Sequence, residues 1–421
     1  MNERFKTISI IGLGYIGLPT AAVFASRGVK VIGVDVNERA VQTINQGQIH
    51  IVEPELDIVV HAAVTVGSLR ATTTPEPADA FLIAVPTPFK DEHEPDLSYI
   101  ESASKSIAPV LKKGDLVILE STSPVGATEQ MAEWLAAARP DLTFPQQAGE
   151  ESDIRVAHCP ERVLPGQVIR ELVENDRVIG GMTTKCSEVA AELYKIFVQG
   201  ECVITNARTA EMCKLTENSF RDVNIAFANE LSMICDKLDI NVWELIKLAN
   251  RHPRVNVLQP GPGVGGHCIA VDPWFIVSKT PEEARLIGTA RVVNDSKPHW
   301  VLSKVDQAVE QIVKAKGQAR VVCFGLAFKP DIDDLRESPS LEIAKHLAEK
   351  YAGQVDAVEP NIEELPSSLG KLGVNLLSVE QGVAAADVLV LLVDHRQFKA
   401  HVPALDSSKV VIDTKGIWLK K

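Results

Sequence analysis

No apolar run in this 421-residue sequence approaches the length of a bilayer span, so a membrane helix is not expected. Met1-Asn2-Glu3-Arg4 leads straight into a strand-like pattern, so a secretory signal is not expected either. The seven cysteines have no paired spacing, which argues against a disulfide framework or a zinc site, predicts no metal, and fits a reducing cytoplasm. Positive charge is in deficit, with 43 Lys and Arg against 56 Asp and Glu and a net charge of −13. That balance argues against nucleic acid or an anionic membrane as a partner. Low-complexity tracts and short-period repeats are absent as well. What remains, 45% hydrophobic and 24% charged residues, is an ordinary globular composition long enough for two or three domains. An anionic ligand would need positive charge concentrated locally.

Thr7-Ile8-Ser9-Ile10-Ile11 is a short β-branched run and reads as a buried parallel strand. Gly12-Leu13-Gly14-Tyr15-Ile16-Gly17 follows, then a helical stretch from Leu18 to Ser26, then the strand Val29–Val34 ending at Asp35. Strand, G-x-G-x-x-G, helix, strand and acid form the dinucleotide-binding fingerprint of a Rossmann unit. Gly12 serves the tight turn, Gly14 admits a pyrophosphate to the helix N-terminus, and Gly17 lets helix and strand pack closely. Asp35 would accept hydrogen bonds from a ribose 2′-hydroxyl and repel a 2′-phosphate, which predicts NAD rather than NADP. The turn residues Tyr15 and Ile16 belong to the same cofactor site. The bland alternative is an α/β turn that needs glycine only for packing.

Further strands end at Pro86-Thr87-Pro88, Ser121-Thr122-Ser123 and Pro160-Glu161-Arg162. Ligands of open parallel sheets sit beyond the carboxyl ends of the strands, which singles out Thr87, Thr122, Glu161 and Arg162. Each could equally be a turn or cap residue, and so could Thr128. From Thr209 to about Lys237 the chain lacks Gly and Pro and predicts one long helix. Lys214, Asn218 and Arg221 share one of its faces. Leu215, Phe220, Ile225, Ala226 and Leu231 make its other sides apolar, so the helix is expected to be central and well covered. A lysine there calls for a partner or a role.

Gly261-Pro262-Gly263-Val264-Gly265-Gly266-His267-Cys268 places one cysteine behind a run of glycines, with Asp272 four residues later. Such a loop lets backbone approach a ligand, and its thiol is either a nucleophile or a buried, inert cysteine. Near residue 318 a second α/β unit begins. Its first strand ends at Gly325-Leu326-Ala327-Phe328-Lys329-Pro330, a Rossmann-like turn without the full glycine set. Lys329 and Arg336 flank the place where an anion would bind. The fold class is therefore α/β, with two Rossmann-like parallel-sheet domains joined by a helical central region that contains a long helix.

Seven segments together resemble the nucleotide-sugar 6-dehydrogenase family typified by UDP-glucose dehydrogenase, nearly end to end: GLGYIGLP, VPTP, STSPVG, CPER, EMCKLTENSFRDVNIAFANE, GPGVGGHCIAVDP and GLAFKPDIDDLRES. The VGGHC and CPERVLPG forms depart from the FGGSC-type and NPEFL-type segments of the glucose enzymes. They are similar to the branch acting on 2-acetamido sugars, nearest to the members that oxidise UDP-N-acetyl-D-mannosamine in enterobacterial common antigen synthesis. The resemblance implies three domains: NAD binding over 1–206, a central helical dimerisation and catalytic domain over 207–310, and UDP-sugar binding over 311–421. It also implies a homodimer.

The reaction so implied is a four-electron, NAD-dependent oxidation of the sugar C6 hydroxyl to the uronate. It passes through an aldehyde, then a thiohemiacetal and a thioester at Cys268. UDP-N-acetylglucosamine and UDP-glucose are the alternative substrates. Lys214 and Asn218 would stabilise the oxyanion, and Lys214 would favour the thiolate or, if neutral, act as base. Asp272 or Glu161 would handle protons or water. Arg162, Val163, Lys214, Asn218 and Arg221 would line the sugar nucleotide, joined by His252 and Arg254 across a subunit boundary. Gly265 would cover the sugar, Phe328 and Lys329 hold the nucleotide, Arg336 reach NAD, and Lys415 line the same cleft. Two rivals remain: a two-electron dehydrogenase of the 6-phosphogluconate type, which needs no cysteine, and a non-catalytic nucleotide sensor. Two NADH per substrate would exclude the first, and the intact Lys214, Asn218, Cys268 and Asp272 set argues against the second.

Overall fold

The apolar run at the N-terminus forms β1 (Thr7–Ile11), and seven more strands follow: β2 (Lys30–Val34), β3 (Leu69–Thr72), β4 (Ala80–Ile83), β5 (Leu116–Leu119), β6 (Arg155–His158), β7 (Arg177–Gly181) and β8 (Cys202–Asn206). The structure is a computed structural model that describes residues 4–51, 53–90, 93–163, 166–266, 268–403 and 408–418. The eight strands form one sheet in the order β3-β2-β1-β4-β5-β6-β7-β8. Every neighbouring pair is parallel except β6 with β7. Strand order reverses between β1 and β4, the switch point at which doubly wound sheets bind ligands.

Both faces of this sheet are covered, which is why its strands read as continuous apolar runs rather than alternating ones. Ile8, Ile10, Leu82 and Ile118 enter one core layer, whereas Phe81, Ile83, Val117 and Leu119 enter the other. The helix Gly17–Ser26 seals the first layer with Phe24, which is fully buried and contributes about 1.5–3 kcal/mol by that burial. These elements belong to a unit spanning Met1–Glu217.

The second unit spans Asn218–Lys421. It holds the helices Val242–Ala249, Asp272–Lys279 and Arg285–Lys316, followed by the strands β9 (Val321–Phe324), β10 (Val355–Val358), β11 (Val388–Leu391) and β12 (Val410–Asp413). The latter form an all-parallel sheet in the order β10-β9-β11-β12. Among the described residues, no helix is long and apolar enough to cross a membrane.

The expected α/β architecture with its helical middle is present. The long helix runs from Ala207 to Lys237, but it is not covered on all sides. Leu215 and Ala226 are buried, while Phe220 is 69% exposed and Phe227, Ile234 and Leu238 are also exposed. The expectation that Phe220 lies in a covered core is thus corrected: the spacing around the helix gives it an apolar stripe that the described residues leave largely exposed. The sequence reading also passed over β7, β8 and the Arg285–Lys316 helix, which carries Pro298 inside it.

Candidate active site

The turn after β1 is shaped by close backbone approach. Gly12 has φ +91°, and a side chain there would come within 2.6 Å of the Ala84 carbonyl oxygen. A Cβ on Gly17 would lie 1.8 Å from the Gly12 carbonyl oxygen, whereas one on Gly14 would meet nothing within 4 Å. Gly14 and Tyr15 are exposed and Ile16 is half-buried. The helix Gly17–Ser26 has no side-chain cap at its N-terminus and no acid in its first turn, so its amides are left for an anion. Asp35 accepts Leu13 N–H and Asn37 N–H, each at 2.8 Å, through different oxygens, and each oxygen retains a lone pair for a hydroxyl. An open cradle at Gly14, an uncapped helix and an acid at the end of β2 fit NAD.

Other cofactor candidates of this unit differ in their surroundings. Thr87 Oγ1 is buried without a hydrogen-bond partner, and Thr122 is half-buried. Thr128 is fully buried, and its hydroxyl donates to Glu211 at 2.6 Å. Glu211 also accepts Gly126 N–H and Thr128 N–H, so its carboxylate fills the N-terminus of the helix Ala127–Ala138. Glu211, not Thr128, is therefore the group that caps this helix, and the Thr128 hydroxyl is held by it.

Glu161 is buried, with one oxygen on the Arg177 guanidinium at 2.7 Å and the other on Arg162 N–H at 2.6 Å. Glu120, Cys159 and Tyr194 share this interior, and the Tyr194 hydroxyl donates to Glu120 at 2.6 Å. Burial pushes the Glu120 carboxyl up to about 7 against the opposing pull of Arg177. Arg162 pairs with Glu217 at 2.6 Å, and Val163 packs against the core beside it. Lys214, half-buried, lies one turn before Asn218 in the continuous helix.

In the second unit Cys268 is exposed, while Cys235 and Cys323 are buried and burial pushes the Cys323 thiol up to about 12. The reading of Cys268 as a sealed core thiol therefore does not hold. Cys268 sits one turn ahead of the helix Asp272–Lys279, and its carbonyl accepts Asp272 N–H at 2.9 Å. The Asp272 carboxylate is buried and accepts the Asn218 amide at 2.5 Å. The glycines before the thiol are needed for packing. A Cβ on Gly265 would stand 2.4 Å from the Glu337 carbonyl oxygen, and one on Gly266 (φ +83°) would stand 3.0 Å from the Phe328 ring. His267 lies outside the described residues.

Lys329 lies within electrostatic reach of both Cys268 and Arg221. Desolvation, then the like charge of Arg221, hold its ammonium below the usual lysine range, while Cys268 pulls the other way. The Lys415 ammonium comes within 3.1 Å of where a Gly261 Cβ would be and lies 3.8 Å from Asp394. The structure thus gathers Asn218, Arg221, Gly265, Cys268, Asp272, Phe328 and Lys329 in one unit. Arg336 is exposed and forks onto Asp334 of its own loop. His252 and Arg254 are exposed in the turn after the helix Val242–Ala249.

Sequence reasoning missed the cap Glu211 and a buried polar ladder in the second unit. The ladder comprises Asp222, Asn229 and Ser232 on one helix and Arg291, Asn294 and Lys297 on another. Polar residues recurring at helical spacing, Asp222, Asn229 and Ser232 on one helix and Arg291, Asn294 and Lys297 on the other, were the available signal.

Comparison with known proteins gives consistent matches along the chain. Residues 6–198 match the NAD-binding domain of the UDP-glucose/GDP-mannose dehydrogenase family, residues 208–296 its central domain, and residues 322–420 its UDP-binding domain. A UDP-N-acetyl-D-mannosamine dehydrogenase of Yersinia pestis is 69% identical over 98% of this chain and 99% of its own. An NDP-N-acetyl-D-galactosaminuronic acid dehydrogenase of Ralstonia nicotianae is 67% identical over 99% and 97%. Among solved structures, the UDP-D-ManNAc dehydrogenase of Pyrococcus horikoshii superposes with a TM-score of 0.87 at 38% identity, covering 99% of this chain and 96% of that one.

Proposed function

The chain belongs to the UDP-glucose/GDP-mannose dehydrogenase family, and from that premise we propose that it oxidises the C6 hydroxyl of UDP-N-acetyl-D-mannosamine to the uronate in two NAD-dependent steps. The exposed thiol of Cys268 behind a packed glycine loop carries this reading. The turn after β1, the end of β2 at Asp35 and the orphaned hydroxyl of Thr87 would hold NAD, which when bound accepts the hydride in each oxidation.

The chain's own residues account for why a four-electron oxidation is feasible. An aldehyde carbon is trigonal and is a poor hydride donor. Addition of the Cys268 thiolate makes it tetrahedral, with an oxyanion that the Asn218 amide and the Lys214 ammonium stabilise from one helix face. Oxidation of that adduct leaves a thioester. Water attacks the thioester carbon, the C–S bond breaks, and the thiolate returns with release of the carboxylate. Asp272, one turn from the thiol, and Glu161, fixed by Arg177, are the two carboxylates for the proton transfers. Lys329 supplies positive charge near the sulfur, which favours the thiolate.

The domain limits 1–206, 207–310 and 311–421 are proposed on the same basis, as is a cytoplasmic location, where NAD is at hand and the thiol stays reduced. A homodimer is proposed on the exposed stripe of Phe220, Phe227 and Ile234, spaced by seven residues along one helix. In that dimer we propose His252 and Arg254 for the partner's substrate, Arg162, Val163, Arg221, Gly265, Phe328, Lys329 and Lys415 for the subunit's own, and Arg336 as a cofactor contact. The 67%-identical Ralstonia relative named for a galactosaminuronic acid supports a second reading, a different 2-acetamido epimer. Assaying UDP-N-acetyl-mannosamine, -glucosamine and -galactosamine beside UDP-glucose decides. Highest kcat/KM on the mannosamine supports the proposal, and preference for any other sugar overturns it.

A further inference from the structure

The segment carrying Cys268 leaves one helix and returns to it. At its far end Asp272 is tied to Asn218, as described. At its near end the Gly261 amide donates to Asn229 Oδ1 at 2.9 Å, and Asn229 is fully buried. Asn218 and Asn229 both lie on the helix Ala207–Lys237, so one rigid element holds the segment before and after the thiol.

What points the Asn229 amide correctly is a chain of forced choices. A guanidinium can only donate, and Arg291 donates to Asp222 Oδ1 at 2.6 Å. The same oxygen accepts the Asn294 amide nitrogen at 2.8 Å. Asn294 therefore turns its oxygen toward Asn229, which donates its amide nitrogen there at 2.9 Å. Only then does the Asn229 oxygen face Gly261. Asp222, Asn229 and Asn294 are fully buried and Arg291 is 1% exposed, so water does not scramble these orientations. A second rung beside them, Lys297 to Ser232 at 2.6 Å and Ser232 to the Asn229 carbonyl at 2.6 Å, fixes the backbone of the same residue.

We propose that Asn229 is a positioning residue for the nucleophile: the Arg291–Asp222–Asn294–Asn229 relay sets where the Cys268 segment begins and hence where the thiol meets the substrate carbon. This rests on the reading of Cys268 as nucleophile. Near-attack geometry is sensitive, since a displacement of about 1 Å arising far from the chemistry can cost about 100-fold in rate.

Asn229→Leu keeps the shape and removes both hydrogen bonds. The expected result is a fall in kcat for acid formation of about 10- to 100-fold, with KM for NAD within about twofold and a changed rate of Cys268 alkylation by iodoacetamide. Asn229→Asp is the conditional variant. Protonated, the carboxyl can donate to Asn294 and accept from Gly261; ionised, it opposes the Asn294 oxygen. Its kcat relative to wild type should rise as pH is lowered, because burial raises a carboxyl's pKa. Unchanged kcat and alkylation in Asn229→Leu, or a flat ratio in Asn229→Asp, overturns the proposal. If neither variant folds, the ladder is a folding element and the positioning role is likewise overturned. Cys268→Ala, run in parallel, separates the two ideas: if it still makes acid, the nucleophile itself is wrong, whatever Asn229 does.

Discussion

The turn after β1 and the turn after β9 begin alike. Gly12 has φ +91° and its amide donates to the Val34 carbonyl at 2.8 Å; Gly325 has φ +94° and its amide donates to the Val358 carbonyl at 2.8 Å. In both, the acid after the next strand reaches back to the turn: Asp35 accepts Leu13 N–H, and Glu359 accepts Leu326 N–H and Ala327 N–H. From there they part. Gly14 is exposed where Ala327 is fully buried, and a helix with no side-chain cap begins at Gly17, whereas after β9 the helix begins at Pro339 under the Ser338 side chain. Glu359 is sealed further by His395 at 3.1 Å and Asn361 at 3.1 Å. The same backbone device is an open anion cradle in one unit and a closed structural corner in the other, so fold alone does not assign a ligand.

The largest effect expected from separating the two regions lies at the thiol. Cys268→Ala should abolish acid formation, by about 1,000-fold or more if it acts as the triad nucleophiles do, while leaving NAD affinity in the first unit unchanged by equilibrium titration. Next come the matched glycines. Gly12→Ala should raise KM for NAD by about 10- to 100-fold, because a side chain forces the turn off Ala84. Gly325→Ala meets Val393 Cβ at 2.4 Å; it should lower thermal stability by about 2–4 kcal/mol and leave KM for NAD alone. Equal effects on NAD would erase the distinction.

The matched acids are subtler. Asp35→Ala should relax discrimination against NADP by about tenfold in kcat/KM. Burial pushes the Glu359 carboxyl up, but His395 and the two turn amides outweigh it and hold it below the usual range. A lowered folded-state pKa gives stability above the unfolded value that is lost as pH falls through the folded one. Glu359→Gln should therefore be destabilised by about 1–3 kcal/mol at neutral pH, less so in acid, with cofactor preference unchanged. The effect confined to the narrowest conditions, absent in acid, concerns Glu120, whose folded-state pKa of about 7 lies above its ordinary 4.5. Its favourable contribution is complete below pH 4.5 and is lost as pH rises through about 7. Glu120→Gln should remove that dependence, gaining about 1–3 kcal/mol over wild type above pH 7 in denaturant titrations.

Much of this was legible in the sequence because strands buried on both faces announce themselves as unbroken apolar runs: β1 was expected at Thr7–Ile11 and lies there. β8 was missed because it is largely exposed, with the pattern intermediate, exposed, exposed, intermediate, exposed; β7 is buried, but its sequence Arg177-Val178-Ile179-Gly180-Gly181 carries only two apolar side chains and no such run. The Arg285–Lys316 helix was missed because Pro298 and a string of polar residues interrupt its pattern. Those same residues form the ladder. Asp222 and Arg291 lie 69 positions apart, and nothing local links them. Periodicity also cannot say what covers an apolar stripe, so Phe220 read as core although it faces outward.

The central claim is a covalent bond between Cys268 Sγ and C6 of the sugar, and rapid quenching followed by intact and peptide mass analysis tests it most directly. The expected result is a transient adduct on the Cys268 peptide whose mass equals the oxidised sugar nucleotide, absent in Cys268→Ala. No adduct at any time point, with Cys268→Ser forming acid at the wild-type rate, would contradict it.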